Sequence, residues 1–206
     1  MIHQNIKNIY YCLMYLVSVV LKPFFAMHYK CFRTHIKRVH LGCGNDYMEG
    51  FINIDGNYRC KVDYLLDIRA GLPFPSDSMH YVYSCHMLEH LYPSEAAHLI
   101  AEIYRVLNPY GYARLLMPDF DHAIRICNGE IESKWPRAFE SPSAQAINYL
   151  FCDGQHRYAY SYELVKEVAE KAGFAEIERS TPNDRNVKEE MPPEPIGSLA
   201  VHLLKH

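Results

Sequence analysis

The chain has 206 residues, of which 49% are hydrophobic and 22% are charged, and its net charge is −3. This composition is typical of a globular protein with a sizeable core, and it excludes a wholly disordered chain. The low net charge excludes a polycation that coats nucleic acid, so we expect no nucleic-acid partner. Seven cysteines are scattered without a C-x-x-C pair. They indicate free thiols in a reducing compartment and predict a cytoplasmic protein.

Residues 1–36 form a basic and hydrophobic arm. Residues 1–45 carry six of the 21 Lys and Arg and none of the 24 Asp and Glu, and an uncharged run extends from Ile9 to Leu21. The run is shorter than the roughly 18 apolar residues that a membrane-spanning helix needs. Two interpretations stay open: a helix that lies in the membrane interface at its inner face, or a helix that packs on the rest of the same chain.

Residues 37–206 form one predicted domain, in which β-rich runs alternate with helical stretches. Strands are expected at 38–41, 51–54, 62–66, 81–83, 112–117, 175–179 and 199–204. One helix begins near Pro93 and is stopped by the turn at 108–111, and another covers 162–172 and ends at Gly173. A Pro-rich loop covers 182–197, and loops with a short helix are expected in 130–160. This order predicts an α/β fold, with a Rossmann-like, mostly parallel sheet, helices on both faces and a C-terminal antiparallel hairpin.

Each predicted parallel strand delivers a glycine turn or a polar side chain at its carboxyl end. The residues at these ends are Gly42-Cys43-Gly44, Asp55, Asp67, His86 and Asp119. In an open parallel α/β sheet, ligands bind beyond the carboxyl ends of the strands. These residues therefore predict one shared ligand site.

The ligand expected at this edge is a nucleoside without phosphates. Gly42 and Gly44 let a ligand approach the backbone closely, and Asp55 is placed to accept both hydroxyls of a ribose. The dinucleotide fingerprint is excluded because position 47 is Tyr where that pattern needs Gly. The crossover from Gly42 to Phe51 is too short for a full helix, and without a helix N-terminus the site is a poor pyrophosphate cradle.

Six ordered blocks of the sequence carry a family resemblance. They are Val39-His-Leu-Gly-Cys-Gly-Asn45, Gly50-Phe-Ile-Asn-Ile-Asp55, Asp67 with Leu72-Pro-Phe-Pro75, Ser84-Cys-His-Met-Leu-Glu-His-Leu91, Glu102-Ile-Tyr-Arg-Val-Leu-Asn-Pro109 and Met117-Pro-Asp119. They resemble class I S-adenosylmethionine (SAM)-dependent methyltransferases, and most closely the type 11-like, small bacterial branch. The usual Lys-Pro-Gly-Gly before the fifth strand is replaced here by Asn108-Pro-Tyr-Gly111. This departure does not touch the expected cofactor pocket.

The resemblance implies SAM as the methyl donor and a role for each residue at the strand ends. The positions that match the family's cofactor-binding residues are Gly42, Cys43, Gly44, Asp55, Asp67, Ile68, Ser84 and Cys85. The glycine turn would line the methionine part of the cofactor, and Asp55 would hold the ribose. Asp67 and the backbone of Ile68 would meet the adenine, and the residues after the fourth strand would lie beside the sulfonium.

We expect methyl transfer to an oxygen or nitrogen atom of a small molecule or glycan. A hydroxyl acceptor needs a base, and His suits that role near neutral pH. The candidates are His86 and, in second place, His156, with Asp119 placed to orient either one. No metal is expected in this reaction.

Two other functions stay open from the sequence alone. One is a non-catalytic module that has kept the SAM or nucleoside pocket. The other is a metal-dependent hydrolase, because His86-Met-Leu-Glu89-His90 spells the H-x-x-E-H motif, which on a helix would place both histidines on one face. The position of this motif directly after a buried strand argues against the hydrolase.

Overall fold

The computed structural model describes residues 4–133, 139–183 and 193–206, and these residues build one seven-stranded sheet. The strands are β1 (Arg38–Leu41), β2 (Ile52–Asp55), β3 (Tyr64–Leu65), β4 (Met79–Cys85), β5 (Leu107–Pro118), β6 (Glu176–Ser180) and β7 (Ser198–Leu204). Their spatial order is β3-β2-β1-β4-β5-β7-β6. Neighbours among β1 to β5 pair in parallel, whereas β7 is antiparallel to both β5 and β6. The predicted α/β fold with a mostly parallel, Rossmann-like sheet is confirmed.

The described α-helices are α1 (Gln4–His28), α2 (Pro93–Val106), α3 (Phe120–Cys127), α4 (Pro142–Phe151) and α5 (Tyr162–Ala172). A π-helical turn, Tyr29–Arg33, continues α1, and single 3-10 turns occur at Ile68–Ala70, Leu88–His90 and Cys152–Gly154. As predicted, α2 begins at Pro93, and α5 ends at Gly173, whose φ of +111° is the left-handed conformation that closes a helix.

Alternate residues of the central strands face two different clusters. Val39, Val82 and Leu115 point into the main core, which also holds the buried sides of α2 and α5. Tyr81 and Tyr83 belong to a second cluster on the opposite face of the sheet. Because these strands are buried on both faces, they read as almost continuous hydrophobic runs, which is the pattern of a parallel sheet.

The fifth strand starts earlier than the sequence predicts. Helix α2 ends at Val106, close to the predicted stop, but residues 108–111 form no turn, because the chain enters β5 at once, at Leu107. The cause lies at the other end of the chain: Tyr110 N–H donates to the carbonyl of Lys205 (2.7 Å), and Lys205 N–H donates to the carbonyl of Gly111 (3.0 Å). A contact made across the sheet therefore converts an expected turn into strand. Helix α3, which follows β5, was not predicted.

The N-terminal arm is one long helix that packs on the domain along one side. Met14, Ser18 and Tyr29 are buried there. The helix continues through Pro23, so the stretch Asn8–Arg33 is long and apolar enough, by length and composition, to cross a membrane. The short length of the uncharged run is therefore no argument against a spanning helix, because the apolar helix extends beyond that run. A signal sequence would pass the same test.

The predicted Pro-rich loop lies partly outside the described residues, which resume at Pro193. Its described end is tied to the sheet by a buried ion pair. Arg114 on β5 is fully buried, and its Nε donates to Oε1 of Glu194 at 2.8 Å. Glu194 also accepts from the backbone N–H of Asn183 (2.7 Å). These contacts fix the segment that leads into β7.

Candidate functional site

A cavity of about 340 Å³ opens at the carboxyl ends of β1, β2 and β4. Six of the predicted site residues line it, namely Gly42, Gly44, Asp55, Asp67, Ile68 and His86. The other lining residues are Tyr11, Gly56, Asn57, Leu66, Arg69, Met87, His90, Leu91, Gln155 and Arg157. The sheet edge that the sequence indicates is therefore a real concavity, within the size range of small-molecule sites.

The glycine turn after β1 forms one wall. Gly42 and Gly44 have φ values of +66° and +50°, a region that disfavours side chains. A Cβ atom on Gly42 would fall 2.3 Å from Cγ of Met87, so this glycine allows close packing under the cavity. A Cβ atom on Gly44 would meet no described atom within 4 Å. The cavity wall at Gly44 is therefore bare backbone with open space in front of it.

Asp55, the last residue of β2, is held against this turn by two hydrogen bonds. Gly44 N–H donates to its Oδ2 at 2.8 Å, and Asn57 N–H donates to its Oδ1 at 2.7 Å. A carboxylate offers about four acceptor positions, so both oxygens can accept a further hydrogen bond from a ligand. The two contacts orient Asp55 without using up its acceptor capacity.

The far wall is built around Asp67 and Arg69. Arg69 Nε donates to Oδ1 of Asp67 at 2.9 Å and Nη2 donates to Oδ2 at 2.6 Å, and these bonds raise the pKa of the guanidinium. Arg69 Nη2 also donates to the carbonyl of Tyr11, on α1 (2.9 Å). Asp67 thus lies in the wall as predicted, but its carboxylate is already engaged by an arginine. Ile68 follows at the start of a 3-10 turn, where a backbone N–H has no partner within the turn.

Three residues expected beside the cofactor are not among those that line the cavity: Cys43, Ser84 and Cys85. Cys43 is 2% exposed, and burial raises the pKa of its thiol to about 12. Ser84 is 1% exposed within the sheet, and burial also raises the pKa of Cys85 to about 12. Cys43 and Ser84 are packed inside the protein and Cys85 is partly exposed, so the contact of these three residues with the cofactor stays a prediction.

His86 lies where β4 ends, with the unusual φ of +52° for a residue with a side chain. Its Nδ1 is 3.2 Å from Oε1 of Glu89, and its Nε2 is 2.7 Å from Oγ of Ser198. Glu89 is 1% exposed, and within the described part of the chain neither of its carboxylate oxygens has a partner in hydrogen-bond geometry. The buried carboxylate of Glu89 therefore lies next to Nδ1 of the His86 imidazole.

His156 approaches the same carboxylate from the loop after α4. Its Nε2 is 3.8 Å from Oε1 of Glu89, and its Nδ1 donates to the carbonyl of Leu150 (2.6 Å). Burial lowers the pKa of His156, and the charge of Glu89 offsets part of this effect. His156 does not line the cavity, so it is a neighbour of His86 behind the wall.

Asp119 does not take the orienting role that the sequence predicts. It caps α3 by accepting from Asp121 N–H (3.0 Å), and its Oδ2 accepts from Arg179 (3.0 Å). The structure places Glu89 between the two histidines instead. The sequence names Glu89 only as part of the H-x-x-E-H motif.

The H-x-x-E-H motif of residues 86–90 also does not form the helix that a zinc site of this kind requires. His86 ends a strand, and Leu88–His90 is a single 3-10 turn, so the two histidines of the motif do not share one face of an α-helix. The ligand atoms that do come within 4.8 Å of one another belong to Glu89, His90 and His156. This arrangement is not the helical zinc site that the motif denotes.

Two wall residues of the cavity could not be identified from local sequence. Tyr11 comes from the arm, 31 residues before the first glycine, and Arg157 comes from the loop after α4. The run of tyrosines in the arm and the Gly154-Gln-His-Arg157 block were visible signals, but nothing in the sequence states that these segments meet at β1 and β2.

A comparison with known protein families gives a match over part of the chain. The family described as a methyltransferase domain matches residues 37–115, which run from just before β1 into β5. A comparison with curated protein sequences finds no match.

Several solved structures that share this fold are described as SAM-dependent methyltransferases. A SAM-dependent methyltransferase from Archaeoglobus fulgidus is 14% identical with a TM-score of 0.52, over 89% of this chain and 94% of that one. One from Mesorhizobium loti is 17% identical with a TM-score of 0.51, over 82% and 90%. A Thermotoga maritima protein described as a possible histamine N-methyltransferase is 18% identical with a TM-score of 0.51, over 94% and 92%. At these identities the likeness establishes the fold, while the family match supplies the chemistry. The match of residues 37–115 to a methyltransferase domain, together with the shared fold, supports a SAM-dependent methyltransferase with SAM as its cofactor.

Proposed function

We propose that SAM binds in the cavity with its methionine part against Gly42 and Gly44, its ribose at Asp55 and its adenine beside Asp67 and Ile68. The observation that carries this proposal is the pairing of bare backbone at Gly44 with the adjacent, pre-oriented Asp55. A nucleoside needs that combination, because its sugar must lie close to the chain while two hydroxyls find acceptors.

The residues present fit this cofactor. When bound, SAM supplies a methyl group activated by a sulfonium. The chain contributes a half-open cavity of matching size, in which two reactants can be held in contact. Asp67 supports the adenine end mainly through its position, since Arg69 holds its carboxylate.

We assign the general base to His86, which lines the cavity. With the proton of its neutral ring on Nδ1, facing Glu89, the unprotonated Nε2 accepts a hydrogen bond from the hydroxyl of Ser198. A proton released by the acceptor would reach Nε2 after Ser198 turns away, or through the Ser198 hydroxyl. Glu89 would stabilise the imidazolium that forms, as a buried carboxylate does behind a catalytic histidine.

The acceptor is a small molecule, and we propose that it presents a hydroxyl or an amine, either free or on a glycan. A neutral histidine backed by a carboxylate favours the hydroxyl, because an amine attacks without prior loss of a proton. The cytoplasmic location expected from the free cysteines is part of the same proposal.

A methyl-transfer assay tests these roles. Radiolabelled SAM is incubated with the full chain and a panel of hydroxyl and amine acceptors, with and without EDTA. We expect His86→Asn to lower kcat by about 100-fold and to leave the dissociation constant for SAM within about threefold. The matched control is His98→Asn, at an exposed position on α2. Unchanged turnover in His86→Asn would reject the base, and activity abolished by EDTA would assign Glu89, His90 and His156 to a metal instead.

A further inference from the structure

Helix α1 carries an apolar surface that the domain does not cover. We call it the outer stripe, and its exposed residues are Ile6, Ile9, Leu13, Leu16, Val17, Val20, Phe24 and Met27. Apart from the adjacent Leu16 and Val17, they recur every three or four residues, so they lie on one side of the helix and extend for about 30 Å. An apolar strip of this length is far beyond the scattered hydrophobic residues of an ordinary surface.

The charges near the outer stripe favour one kind of partner. No Asp or Glu occurs in residues 1–45, and Lys30 and Lys37 are exposed just after the helix. An apolar side with basic residues at its end matches an interfacial helix on an anionic lipid surface. A purely apolar partner would leave the absence of acidic residues unexplained.

The opposite side of α1 is fixed to the rim of the cofactor cavity. The Tyr10 hydroxyl donates to the carbonyl of Gly56 (2.6 Å), and the Asp67 N–H donates to Ser18 Oγ (2.8 Å). Lys22 Nζ donates to the carbonyl of Ala70 (2.8 Å). Gly56 and Asp67 both line the cavity. A helix that left the domain to cross a bilayer would break all three bonds, so α1 suits a position parallel to the membrane.

We propose that α1 docks the enzyme on an anionic membrane surface through the outer stripe and thereby couples docking to cofactor binding. The coupling rests on the proposed function, because it requires the cofactor to occupy this cavity. The link is physical: Tyr11 is part of the wall, its carbonyl accepts from Arg69, and Arg69 holds Asp67. Ordering of α1 by lipid therefore orders the adenine end of the cavity.

Vesicle sedimentation with the full chain tests the docking. The vesicles are phosphatidylcholine alone or phosphatidylcholine with phosphatidylglycerol. We expect binding to the anionic vesicles only, and the double variant Leu13→Ser/Val20→Ser should weaken it by at least about tenfold. The matched control is Ile124→Ser/Ile147→Ser, which removes two exposed apolar side chains from α3 and α4 and should bind like the wild type.

Calorimetry with SAM tests the coupling. Anionic vesicles should tighten SAM binding by about fivefold, and SAM should tighten vesicle binding by the same factor, because linkage is reciprocal. Ser18→Ala, which removes the contact between α1 and Asp67 N–H, should keep vesicle binding and lose most of this enhancement.

Several results would overturn the proposal. Equal binding of the wild type and the outer-stripe variant would remove the docking surface, and equal binding to neutral vesicles would remove the charge argument. Resistance to alkaline extraction would show a spanning helix, and a dimer that dissociates in the outer-stripe variant would show a second copy of the chain as partner. An unchanged SAM affinity would end the coupling. Failure of the proposed function looks different: no SAM binding with or without vesicles.

Discussion

The site has two halves that are built in different ways. In the cofactor half the decisive contacts are local: Asp55 binds Gly44 across 11 positions and Asn57 across two. In the acceptor half they are distant: His86 meets Ser198 across 112 positions, and Glu89 and His156 come from segments that are far apart in the chain. The comparison teaches that local backbone geometry builds the surroundings of Asp55 in the proposed cofactor half, whereas contacts between distant segments build the proposed acceptor half.

The largest expected effect concerns the long-range ion pair that fixes the segment before β7. Glu194→Gln leaves the Arg114 guanidinium buried without its ion-pair partner, and we expect a loss of about 3–5 kcal/mol in the free energy of unfolding. Urea denaturation measures this loss. The control is Glu178→Gln, which makes the same change at an exposed position of β6. A loss below about 1 kcal/mol would mean that the segment before β7 does not depend on this pair.

The next effect concerns the strand beneath the cofactor half. His40 on β1 is 2% exposed, and burial lowers its pKa to about 4, with Asn53 offsetting part of the shift. The unfolded chain therefore binds the proton at higher pH than the folded chain. As pH falls from 6.5 towards 4, we expect protonation of His40 in the unfolded chain to lower the free energy of unfolding by up to about 3 kcal/mol. His40→Gln should flatten the stability profile in that window, whereas His98→Gln should leave it unchanged.

The two glycines of the turn sharpen the comparison within the cofactor half. Gly42→Ala places a methyl group against Met87 and should cost about 2–3 kcal/mol of stability. Gly44→Ala meets open space, so it should cost only about 1 kcal/mol for its positive φ, but its methyl group would stand in the cavity and weaken SAM binding by about tenfold. Thermal unfolding and calorimetry on both variants check this split. The reverse pattern would show that Gly44, not Gly42, carries the packing.

The smallest effect tests the acceptor half at one hydrogen bond. Ser198→Ala removes the partner of His86 Nε2, and we expect kcat to fall about fivefold while SAM affinity stays the same. Ser94→Ala, on the exposed side of α2, is the control. A change in SAM affinity that equals the change in kcat would place Ser198 in the cofactor half.

The same division explains what the sequence could predict. β1, β2, α2 and α5 were predictable because their apolar periodicity and their end signals, such as Pro93 and Gly173, lie within the element itself. Gly42, Gly44 and Asp55 could be named because they lie at the end of a strand or within three residues after it.

Other features needed the folded chain. The early start of β5 depends on Lys205, and the shared carboxylate of His86 and His156 depends on a loop that folds back to Glu89. Asp119 was chosen because it ends a strand, yet its place at the start of α3 engages it as a cap. Tyr11 lines the cavity although it belongs to the N-terminal arm, and the sequence of that arm shows only that it is apolar and basic. The spacing of residues along the chain does not predict contacts between distant segments.

The central claim is that SAM lies against Gly44 with its ribose on Asp55. Titration calorimetry on the wild type and on Asp55→Ala tests it most directly, with Asp46→Ala as the matched loss of a nearby exposed carboxylate. The predicted result is an affinity at least about 100-fold weaker in Asp55→Ala, the worth of two charge-assisted hydrogen bonds, and a change within about threefold in Asp46→Ala. Equal affinity of the Asp55→Ala variant and the wild type would contradict the claim.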